Sequence, residues 1–177
     1  MTEDVATLRA VLGPHAAEPV VARLVGLVRG FMSEVLPPIR DARLPCVNAI
    51  MDYKANNLVY TPAGPVLVDP DNGDFAPRLL DLAQAVLLFH TEHEPAPPRL
   101  FDATEWSAFI GAYLRQVDLT ELERTMWPVA VEYMICDEGH WALTNDVEEW
   151  REPRQRAFLL ALAEARAGDY PLPAAGH

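Results

Sequence analysis

One lysine is all that this 177-residue chain has: Lys54 stands alone among thirteen arginines. Cysteine is equally sparse. Cys46 and Cys136 lie far apart in sequence, which excludes a disulfide framework and a CxxC zinc site. They read as two reduced, partly buried thiols. Only two serines occur, Ser33 and Ser107, and neither sits in GxSxG, so a serine hydrolase is excluded. No GxGxxG occurs anywhere. No apolar run approaches the ~20 residues that a membrane span requires. The opening MTEDVATLRAV is acidic and lacks the basic-then-apolar pattern of a signal peptide. The expected compartment is therefore the cytoplasm. Positive charge is scarce overall, and the formal net charge of −12 repels phosphate backbones and anionic lipid. No nucleic-acid or membrane partner is expected, whereas a cationic ligand would be welcome.

What is present suits a globular core. Half the residues are hydrophobic and 23% are charged. The length predicts one domain over residues 1–177. Its parts are N-terminal helices over 1–44, a hairpin core over 45–81 and a helical subdomain over 82–170. The segment AEPVVARLVGLVRGFMSEVL has the helical apolar period, and Pro37 with Pro38 is expected to stop it. NLVYTPAGPVLVD reads as a β-hairpin, with strands near 57–60 and 65–69 around a Pro/Gly turn. A lone hairpin is marginal in water, so it should lie against the helices. PRLLDLAQAVLLFHTE reads as a buried helix. Asp102 with Glu105, and Thr120 with Glu123, have capping-box spacing. Pro128 is expected to restart or kink the helix after Thr120. Pro153 suits the first turn of a last helix ending before Gly168. Trp106, Trp127, Trp141 and Trp150 are expected to anchor the core. The fold class is mainly α (α+β), a helical bundle with one small β-hairpin.

Polar residues cluster around that hairpin. Asp52, Lys54 and Asn57 precede its first strand, Asp69 follows its second, and Asp81 opens the next helix. A hairpin returns its ends to each other, so Asp52, Asn57 and Asp69 should share a pocket. Oxygen ligands from Asn57 and Asp69 suit Mg²⁺, which keeps several waters beside phosphates. Asp52 could accept a hydroxyl proton and Lys54 could contact a phosphoryl group, the parts that phosphoryl transfer requires.

In this order the residues resemble the catalytic core of the aminoglycoside phosphotransferase and choline kinase superfamily, within the protein-kinase-like fold. There a loop of pattern H-x-D-x-x-x-x-N precedes a hairpin, a metal-binding Asp and an Asp-Leu at a helix start. The resemblance implies a kinase-like C-terminal lobe. It implies Asp52 as the catalytic base, Lys54 as a catalytic and nucleotide-contacting residue, Asn57 and Asp69 as metal ligands, and Asp81 as a brace for the catalytic loop. Its implied cofactors are Mg²⁺ and ATP. Ile50 stands where the family has His, and DPD replaces Asp-Phe-Gly. The residues before 45 read as helices, without the Gly-rich loop and strand lysine of an N-terminal lobe.

The expected function is phosphate transfer from Mg-ATP to a hydroxyl of a small, amine-bearing metabolite. A protein partner or a homodimer would complete the nucleotide cleft. Two alternatives stand beside it: a non-catalytic, kinase-derived binding module, and a repurposed pocket doing acid/base chemistry with Asp52 and Asp69 without nucleotide. The acidic run of Asp137, Glu138, Asp146, Glu148, Glu149 and Glu152 reads as a solvated face, and is compatible with a cationic substrate.

Overall fold

In a computed structural model, which describes residues 2–144 and 150–174, the chain is mainly helical. Helix α1 (Thr2–Leu12) is followed by α2 (Pro14–Gly30), whose Val20, Val21, Leu24 and Leu27 turn inward at helical spacing. Pro37 and Pro38 do not stop this helix, contrary to expectation. A π-helical stretch, Phe31–Val35, leads directly into α3 (Leu36–Asp41), and the two prolines fall in its first turn. The physical reason is local. A helical proline clashes with the carbonyl four residues back and lacks a donor. The wider π turn resets the ladder, so both rings fall where no N–H is needed.

Strand β1 (Cys46–Ala49) comes next, then a 3-10 turn (Ala55–Asn57), β2 (Leu58–Thr61), β3 (Gly64–Leu67) and β4 (Asp74–Pro77). The expected hairpin is β2–β3, antiparallel, with Leu58 opposite Leu67 and Thr61 opposite Gly64. It does not lie against the helices. Val59, Tyr60, Val66 and Leu67 are exposed. A second antiparallel pair, β1–β4, places Cys46 opposite Pro77 and Ala49 opposite Asp74. Its strands are too short and too weakly patterned to stand out in the sequence. This pair positions the site, because β4 runs straight into α4 (Arg78–Leu88) while β1 runs into the Asp52 loop.

The core is built by α4 and α6 (Glu121–Thr144), packed on each other, with α2 and α7 (Pro153–Glu164) against α6. Nearly all of α4 is buried, as its continuous apolar run requires. Helix α6 passes through Pro128 without restarting. An interior proline costs a helix about 3 kcal/mol or more. The buried Trp127, Ala130, Val131, Met134 and Ile135 on either side hold it continuous. At Gly139 an added Cβ would stand 2.8 Å from Leu24 Cδ2, so the glycine permits the close approach of α2 and α6.

The caps form as their spacing predicts. Asp102 accepts from Thr104 and Glu105 N–H at the start of α5 (Ala103–Tyr113), and Glu105 accepts from Asp102 N–H. Thr120 and Glu123 do the same for α6. Three of the four tryptophans are core anchors. Trp106 and Trp127 stack with centroids 5.4 Å apart, and Trp150 donates to Ala142 O. Trp141 is 44% exposed instead, at the rim of a cavity. Cys136 is buried, as expected, whereas Cys46 is exposed.

Candidate functional site

The loop between β1 and β2 is turned by two backbone devices. Met51 adopts φ 51°, a left-handed conformation that an unbranched non-glycine residue takes at a cost of about 1–2 kcal/mol. Its N–H donates to Asp81 Oδ1 at 2.8 Å. Burial raises the Asp81 carboxyl, opposed by the backbone bonds it accepts from Met51 and Ile50. Through this bond Asp81, in the first turn of α4, is tied to the strained turn. Farther along, Ala55 N–H donates to Phe89 O at 2.9 Å, tying the loop to the end of α4.

This geometry brings Asp52, Lys54 and Asn57 together. Asp52 is 9% exposed and Asn57 is 6% exposed. The Asn57 amide donates to Asp52 O at 2.9 Å and to Asp52 Oδ2 at 3.1 Å. Lys54 Nζ lies 3.2 Å from Asp52 Oδ1 and 3.3 Å from Glu92 Oε1. Burial would lower the Lys54 ammonium, but the charges of Glu92 and Asp52 outweigh it and hold it above the usual lysine range. Lys54 is thus a fixed cation on one side of Asp52, with Asn57 fixing the other.

Asp69 stands slightly apart. Val68 N–H donates to Asn57 O at 2.9 Å, so Asp69 directly follows a residue tethered to Asn57. Asp69 itself is exposed, in a left-handed turn at φ 56°. Among the described residues no hydrogen bond or ion pair joins it to Asp52 or Asn57. The donors available to a metal here are an Asn57 amide oxygen and the Asp69 carboxylate. Among the described residues no group of three or more His, Cys, Asp or Glu converges as a metal cage. Such a set fits Mg²⁺ sharing its coordination with waters and phosphate better than a tightly caged ion. DPDNGD forms a turn, with Gly73 N–H donating to Pro70 O.

A cavity of about 490 Å³ opens beside Asp52 and Lys54, reaching α4, α6 and α7. Gln84, Glu92, Glu138 and Trp141 also face it, and of these Gln84 and Trp141 were not site candidates in the sequence. Gln84 Nε2 donates to Glu138 Oε1 at 3.0 Å. Burial pushes the Glu138 carboxyl up to about 7, despite that bond. Repulsion from Asp137 and Asp52 adds to the rise, and Lys54 opposes it. Glu138 was expected on a solvated face, and it is instead a partly buried wall of the cavity. Asp137 is exposed, and Glu152 caps α7 by accepting from Gln155 N–H. Asp146, Glu148 and Glu149 lie outside the described residues. A signal for Gln84 did exist, since it is the only amide within the apolar run of LLDLAQAVLLF.

Compared with family models, with curated proteins and with solved structures, the chain matches none.

Proposed function

We propose that the protein is a small-molecule phosphotransferase of the aminoglycoside phosphotransferase and choline kinase type, built on a kinase-like C-terminal lobe. The observation that carries this reading is the Asp52–Lys54–Asn57 cluster, held by Asp81 through a strained turn. Strain of this kind persists only where the surroundings over-determine it, and it gathers at functional sites.

In this mechanism Asp52 accepts the proton of a substrate hydroxyl as that oxygen attacks the γ-phosphorus of ATP. The bond from phosphorus to the β,γ-bridging oxygen breaks to release ADP. The Asn57 amide holds the carboxylate in orientation. Lys54 takes the negative charge of the transferring group, and its ion pair with Glu92 is exchanged for one with phosphate. Mg²⁺ bound at Asn57 and Asp69 would neutralise phosphate charge. The cavity beside Asp52 receives a small, amine-bearing substrate. Exposed Val59, Tyr60, Val66 and Leu67 on the hairpin offer apolar surface that a protein partner or a second copy could cover in completing the nucleotide cleft. Calorimetric titration of Mg·ATP into the chain, alone and with substrate-sized amino alcohols, tests the proposal. Binding with phosphate transfer is expected, and binding without transfer would favour the non-catalytic module.

A second reading is nucleotide-independent acid/base chemistry in the same cavity. Glu138 favours it, because a carboxyl near neutrality can exchange protons at physiological pH. Turnover without nucleotide would separate the two.

A further inference from the structure

The cavity wall carries one polar atom that the fold leaves unused. Gln84 is 7% exposed and faces the cavity. Its Nε2 is spent on Glu138, while its Oε1 is buried with no hydrogen-bond partner among the described residues. A buried carbonyl without a donor costs about 1–3 kcal/mol, so such atoms call for a partner. The partner must bring an N–H or O–H. Around Gln84 the charges are lopsided. The loop contributes Asp52 and Lys54, the segment after α4 contributes Glu92, and α6 contributes Asp137 and Glu138. His140, also on α6, acts on Asp137. Helix α7 faces the cavity with Gln155, Phe158, Leu159 and Leu162, none of them charged. Four carboxyl groups against one ammonium leave an excess of negative charge.

We propose that Gln84 and Glu138 form an ammonium-binding subsite, in which Gln84 Oε1 and the Glu138 carboxylate accept N–H bonds from a protonated primary amine. The subsite deepens the substrate reading above, yet it requires neither nucleotide nor metal. Trp141, exposed at the rim, offers an indole face to the same cation.

The chemistry has a measurable signature. Unliganded Glu138 holds its proton up to about pH 7. An ammonium ion binds the carboxylate form, so binding expels that proton. Affinity should therefore fall as pH drops below 7 and level off above it. Most of a proton should leave per amine at pH 6 and little at pH 8.

Calorimetric titration without nucleotide tests this. Putrescine, spermidine and ethanolamine serve as probes, and 1,4-butanediol as the neutral control. Buffers of different ionisation enthalpy report proton release. Expected are amine binding, no diol binding, and affinity about tenfold lower at pH 6 than at pH 8. Glu138→Gln should abolish the proton release and weaken binding about tenfold or more. Should that variant fail to fold, Gln84→Met supplies the second arm, weakening the amine while the diol stays unbound. No amine binding at millimolar concentration overturns the proposal, as do equal binding of the diol and proton release that survives Glu138→Gln. Loss of Mg·ATP binding alone would sink only the phosphotransferase reading.

Discussion

Helix α6 carries two glutamates that the fold takes out of water in opposite ways. Glu123, at the N-terminal end, is fully buried and met by a fork: Arg78 Nε at 2.6 Å and Nη2 at 2.8 Å. Thr120 adds a backbone and a hydroxyl donor. Burial pushes the Glu123 carboxyl up, but these bonds outweigh it and hold it below the usual range. Glu138, nearer the other end, is met by burial first and has the Gln84 amide as its one donor among the described residues. Asp137 and Asp52 repel it, Lys54 only partly offsets them, and it rises to about 7. The first glutamate is satisfied and ties α6 to the start of α4. The second is left wanting, in a cavity. A polar group that folding completes is structural, and one that folding leaves incomplete is where a ligand can contribute.

Removing the satisfied glutamate should have the largest effect. Among the described residues, Glu123→Ala leaves Arg78 with only the Asp118 carbonyl to donate to, and it should cost about 3–5 kcal/mol. Thermal melting at pH 7 should show a midpoint lower by about 10 °C. A shift of only a degree or two would mean the fork adds little beyond what water supplies.

The other glutamate should behave with the opposite sign. Its folded-state pKa lies above its unfolded value, so the protonated form is favoured on folding. Its favourable contribution is complete below the unfolded pKa of about 4.3 and is lost as pH rises through about 7. Glu138→Gln should thus raise stability at pH 8 by something on the order of 3 kcal/mol, and leave it almost unchanged at pH 4. Denaturant melts across that range check the slope. Equal gains at both pH values would sink the titration argument.

Asp81 tests whether the brace matters to the site. Asp81→Ala leaves the Met51 N–H without its acceptor and should cost about 1–3 kcal/mol. It should also loosen the Asp52–Asn57 contact, visible as faster amide hydrogen exchange in residues 50–57. Unchanged exchange there would show that β1–β4 pairing alone sets the loop.

The smallest contrast is between the thiols. Cys46 is exposed, while burial pushes Cys136 up to about 11. A thiol reagent at pH 8 should label Cys46 readily and leave Cys136 intact until the chain unfolds. Labelling of both at similar rates would mean that α6 opens easily.

Much of the fold was legible because local rules dictate it. Capping pairs, the apolar period of α2, the buried run of α4 and the turn-flanked strands β2 and β3 are signals confined to a few neighbouring residues. The overturned expectations share one cause. Pro37, Pro38 and Pro128 punctuate a chain locally, yet a π turn absorbs the first two and core packing overrides the third. The hairpin was expected to be covered, and its exposure depends on where α4 and α5 go.

At the site, the residues of the loop were legible because they are close in sequence. Asp52, Lys54 and Asn57 need only one turn to meet, and Asp81 needs only the return of the chain. The sequence by itself therefore determined a helical chain with a hairpin and a polar loop that gathers Asp52, Lys54 and Asn57. Only the tertiary structure decided that Gln84 would be buried with an unused carbonyl, and that Glu138 would join a cavity wall and not a solvated face. The physical reason is that the environment of a polar atom is set by elements distant in sequence. Fifty-four residues separate Gln84 from Glu138, and only the packing of α4 on α6 brings them to 3.0 Å.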